Sequence, residues 1–72
     1  MSYASFPRVM PVLSSEQIAI IAHIFERVCD DCEEPKTSLT AARCAATLIR
    51  SYQRGILEED LLIDIGHAVL RS

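Results

Sequence analysis

A chain of 72 residues has room for one domain with a thin core, and a second domain is excluded. Half of the residues are apolar but only 6% are aromatic, so the core has to be built from Ile, Leu, Val and Ala. Ten acidic against seven basic side chains give a net charge of -3, which opposes long-range attraction to a nucleic-acid backbone.

Residues 1–13 carry Pro7 and Pro11 without periodicity and read as an extended tail, to which Tyr3, Phe6, Val9, Met10 and Val12 give apolar material for docking. A first helix is expected over about residues 14–33. Ser14 and Gln17 have the spacing of a capping box, and Leu13 and Ile18 that of a hydrophobic staple. Ile18, Ile21, Ala22, Phe25, Val28, Cys29 and Cys32 fall on one arc at about 100° per residue, and Pro35 ends the run.

Thr37 or Ser38 starts a second helix, expected to run to about residue 54, with Ala41, Ala42, Cys44, Ala45, Leu48, Ile49 and Tyr52 inward. Gly55 stands where a left-handed residue ends a helix, and Ile56 can fold back on the last turn. Glu58, Glu59 and Asp60 place negative charge at the start of a third helix over about 58–71, with Leu61, Leu62, Ile65, Ala68 and Val69 inward. The fold class that follows is all-α, a small three-helix up-down-up bundle with an extended N-terminal tail.

Cys29, Cys32 and Cys44 are an odd number, and neither an export signal nor the about 18 consecutive apolar positions of a membrane span is present, so the expected setting is the reducing cytoplasm. The Cys29-Asp30-Asp31-Cys32 spacing suits a redox site or half of a zinc site. Its surroundings do not: Asp30, Asp31, Glu33 and Glu34 gather at a helix C-terminus, where a thiolate is disfavoured. A zinc site would have to recruit Cys44 and either His23 or His67, with no second close pair. Cys44 lies toward the edge of its arc and both histidines project from polar faces. The sets His23, Glu26, Asp30 and Asp60, Asp64, His67 each share a helix side, as exposed faces routinely do. The cysteines therefore read as core residues, with no metal, no cofactor and no catalytic residue expected, and the chain as non-enzymatic.

Arg43, Arg50 and Arg54 fall within about 60° on the second helix, pointing away from the expected core. They are the candidate contact for an anionic partner, and a small nucleic-acid-binding protein acting through them is the alternative reading. At the acidic end of the first helix, Arg27, Lys36 and Arg43 are the available counter-charges. The leading reading rests on apolar surface instead. Ile20 and Ile24 lie outside the core arc of the first helix, and Ile63, Gly66 and Leu70 form a second strip on the third. These five residues are the candidate interface of a protein-protein interaction module. The expected partner is a second copy in a homodimer or another helical protein, with neither nucleic acid nor membrane favoured; the tail folding back over the strips is the competing expectation.

Overall fold

A computed structural model describes residues 13–72, and the expected tail, with any cover it provides, lies outside the described residues apart from Leu13. The chain forms three α-helices: α1 (Ser15–Cys32), α2 (Leu39–Gln53) and α3 (Glu59–Arg71). They make the all-α bundle expected from periodicity. Among the described residues there is no strand, and no helix is long and apolar enough to cross a membrane.

The chain ends its helices with local chemistry. The Ser14 side chain accepts from the Gln17 backbone N–H at 3.1 Å, and the Ser14 backbone N–H donates to Gln17 Oε1 at 2.9 Å, completing the capping box. Ser38 caps α2 by accepting from Ala41 N–H at 2.9 Å. Gly55 takes φ +106°, its N–H donates to the Tyr52 carbonyl, and the Ile56 N–H donates to the Ser51 carbonyl; this paired pattern closes α2 and returns Ile56 to the core. The end of α1 has the same pair, Glu33 to Asp30 and Glu34 to Cys29, with Glu33 itself left-handed at φ 54°. Helix α3 has acidic residues in its first turn but no side-chain cap at Glu58.

The core consists of Ile21, Ile24, Val28, Cys44, Leu48 and Leu62, joined by the partly buried Leu13, Phe25, Tyr52, Ile56, Ile63, Ile65, Val69 and Leu70. Cys29 and Ala41 are also buried. Gly66 marks the closest approach. A methyl group placed there would come within 2.9 Å of both Val28 γ-carbons, so α3 can lie against α1 only because residue 66 has no side chain. On its other side, the Cys44 thiol reaches from α2 to the Gly66 carbonyl at 3.9 Å. Helix α3 packs closely on both partners, whereas α1 and α2 meet least.

The acidic end of α1 is compensated. Lys36 Nζ lies 3.2 Å from Asp30, Arg27 Nε 3.7 Å from Asp31, and His67 Nε2 3.0 Å from the same Asp31 carboxylate. The Ser38 hydroxyl donates to Glu34 at 2.6 Å. Arg43, expected among the counter-charges, is not in an ion pair among the described residues.

Candidate functional site

The apolar strips expected as an interface are largely spent inside the bundle. Ile24, expected outside the core arc, is 1% exposed within the core cluster; it stands one turn before Val28, on the helix side that meets Gly66 of α3. Gly66 is buried against Val28, and Ile63 and Leu70 are half-buried on the core. Of the five residues, Ile20 alone stays exposed. The opposite error occurs at the other edges. Ile18, Ala22, Ala42, Ile49, Leu61 and Ala68 were expected inward and are exposed.

Several of these outward residues converge. Leu13, Ile18, Ile21, Ala22 and Phe25 from the start of α1, with Ala45 and Ile49 from α2, line a cleft of about 240 Å³ whose walls carry no polar surface. Each side chain is there for a local reason. Leu13 and Ile18 flank the capping box at the positions of a hydrophobic staple, and Ile18, Ala22 and Phe25 recur at the spacing that stacks side chains on one helix edge. Ala22 and Ala45 are too short to fill the gap between the two axes. Ile18 is 55% exposed and Ile49 36%, so the two largest aliphatic rims open to solvent. The wide apolar arcs of both helices carried this signal, but periodicity alone assigned the arcs to the core.

The titratable residues do not converge. His23, 71% exposed, stands 4.0 Å from Glu59, and His67, expected on a polar face, is only 22% exposed and pairs with Asp31 on α1. Among the described residues, no three His, Cys, Asp or Glu side chains come together in a way that could hold a metal ion. Cys29 and Cys44 are buried and Cys32 is half-buried, all as free thiols. Cys44, expected toward an edge, is fully buried because α3 packs over it through the bare backbone of Gly66. Burial pushes the Cys44 thiol up to about 11, with the neighbouring Cys29 and Cys32 acting in the same direction. Burial also raises Cys29, against a smaller lowering by Lys36. Neither is suited to nucleophilic work near neutral pH. Arg43, Arg50 and Arg54 are exposed and enter no ion pair among the described residues.

Comparison with known protein families, with curated proteins and with solved structures gives no match.

Proposed function

We propose that this chain is a non-enzymatic protein-interaction module that docks an apolar segment of a partner, in the first place a second copy of itself, into the cleft between α1 and α2. The observation that carries the reading is the cleft: seven apolar side chains and no polar wall on the side of the bundle where the helices meet least. Fully burying one side chain such as Ile18 or Ile49 contributes about 1.5–3 kcal/mol, a large share for a domain whose total stability is on the order of 5 kcal/mol. The arginine stripe supports an anionic partner less well, since three guanidiniums stand on a chain of net charge -3.

The test is sedimentation of the full chain across a concentration series, beside an Ile49→Glu variant. Ile49 lies at the rim and is 36% exposed, so the substitution leaves the helical circular dichroism intact. The expected result is reversible association of the wild type that weakens at least tenfold in the variant. A wild type that stays monomeric at several hundred micromolar would remove self-association, and equal association of both proteins would remove the cleft as its site.

A further inference from the structure

We propose that α2 carries a second docking face, separate from the cleft, that takes an acidic amphipathic helix of a partner protein. The first argument is how charge is distributed. Between Pro35 and Leu57 the chain has the cations Lys36, Arg43, Arg50 and Arg54 and no acidic residue, so every carboxylate side chain stands before or after α2. The net charge of -3 therefore belongs to the other two helices, and α2 itself is basic. Lys36 is held by Asp30 at 3.2 Å, whereas the three arginines are exposed and in no ion pair among the described residues. Arg50 and Arg54 stand at the C-terminal end of α2, where the helix dipole favours cations. Arg43 stands toward the opposite end, whose first turn has no acidic residue, so neither the dipole nor a neighbour accounts for a cation there.

The second argument is geometry. At about 100° per residue, Leu39, Ala42 and Ala46 share one side of α2 with Arg43, Arg50 and Arg54, and together they span about 120°. All of them are exposed, Leu39 at 78%, and the core residues Ala41, Cys44 and Leu48 lie on the other side of the helix. None of them lines the cleft, which takes only Ala45 and Ile49 from α2. The alanines let a second helix approach to about 8–10 Å between axes, and Leu39 offers it apolar area. The guanidiniums follow one another at rises of about 10 and 6 Å along the axis. Carboxylates spaced i, i+4 and i+11 on an antiparallel partner helix repeat those intervals, the arrangement that suits two-pronged pairing with guanidinium. The basic strip is about 17 Å long. A short helix with three carboxylates ends within it, whereas a nucleic-acid tract runs on into the field of the acidic residues on and beside α1 and α3.

The experiment adds a fluorescent helical peptide of about 18 residues, long enough to cover the strip, to the full chain and reads its anisotropy. The peptide carries Glu at i, i+4 and i+11 with Leu and Ala beside them. A control peptide of the same composition spreads its Glu around the helix, and a short single-stranded DNA stands for a polyanion. The register peptide should bind about tenfold tighter than the control or the DNA, and should weaken about tenfold as sodium chloride rises from about 50 to 300 mM. Arg43→Ala should weaken it about fivefold at an unchanged urea midpoint, because the side chain has no ion-pair partner in the fold. Equal binding of the control peptide would overturn the proposal and leave an undirected charge effect. DNA bound tighter than either peptide would overturn it in favour of a polyanion. No binding at millimolar peptide in low salt, or an Arg43→Ala variant that binds like the wild type, would overturn it outright. The cleft stands or falls separately, on the self-association of Ile49→Glu, since Ile49 lies outside the strip.

Discussion

Gly66 offers a measurement in which two opposed effects have to be weighed. Its backbone is helical, so replacing it by Ala gains about 1 kcal/mol of helix propensity if nothing else changes. The added methyl would lie 2.9 Å from both γ-carbons of Val28, well inside ordinary contact. Val28 is fully buried, and a β-branched side chain in a helix has one strongly preferred rotamer, so it has little room to turn aside. Forcing an extra methyl into a filled core costs about 1–3 kcal/mol. Two γ-carbons at 2.9 Å on a buried side chain place Gly66→Ala in the upper part of that range, about 2–3 kcal/mol. After the gain of about 1 kcal/mol the expected net result is a loss of about 1–2 kcal/mol, visible in urea titrations as a lower midpoint at unchanged slope, and as a melting temperature about 5–15 °C lower for a domain of this size. The double variant Gly66→Ala, Val28→Ala sharpens the test. Val28→Ala alone leaves a cavity at this contact, and the new methyl partly fills it, so the pair should lose less than the sum of its parts by about 1–3 kcal/mol. A Gly66→Ala protein as stable as the wild type, or more so, would refute the claim that the bare backbone at residue 66 sets the distance between α1 and α3.

Glu33→Gly should stabilise the fold by about 1 kcal/mol, because a side chain held in the left-handed region costs about that much and the charge it carries opposes the negative end of the α1 dipole; an unchanged urea midpoint would show that the strain is absent. Stability should also fall at alkaline pH. Folding holds the Cys44 thiol at about 11 against 9.0 when exposed, so above pH 9 the unfolded chain gives up its proton first, and the stabilisation is lost progressively between pH 9 and 11. A Cys44→Ala variant should show a flatter decline over that window, and an identical slope would argue against thiol burial as the cause. Under native conditions Cys32, half-buried, should react with a thiol reagent well before Cys29 and Cys44, which mass spectrometry of the modified peptides would read.

The elements were legible in the sequence because their signals are local. The capping box at Ser14 and Gln17, the cap at Ser38 and the Gly55 ending each involve residues within one turn, and each is present. The left-handed Glu33 was not legible, since Pro35 marks that the helix ends without saying which residue absorbs the reversal. Facing was harder than periodicity. A helix packed between two neighbours buries an arc whose centre depends on where those neighbours sit, and the period is silent about that. Shifting the buried arc of α1 toward α3 takes Ile24 in and leaves Ile18 and Ala22 out, with the same hydrophobic residues and the same period. Gly66 carried a readable hint, being expensive inside a helix unless something packs against it. What packs against it is Val28 of the same chain.

The position of the cleft follows from that contact. With no side chain at residue 66 and only Ala41 and Cys44 buried near the start of α2, α3 settles deep between its partners and takes up Ile24, Val28 and Leu48 from their facing arcs. The flanking helices are held apart on the far side, where Ala22 and Ala45 cannot bridge them, so unspent apolar surface collects opposite the helix that packs best. That surface is free of charge, since the arginines of α2 and the acidic end of α1 lie outside the cleft wall. The association proposed for it would be driven by removal of apolar area from water, and should hold steady or strengthen slightly as sodium chloride rises from about 50 to 500 mM, a range over which the screening length falls several-fold. Docking through Arg43, Arg50 and Arg54 would instead weaken steeply with salt. A salt series on the self-association constant therefore separates the two faces without any substitution, and a steep fall would move the interface from the cleft to the arginine stripe.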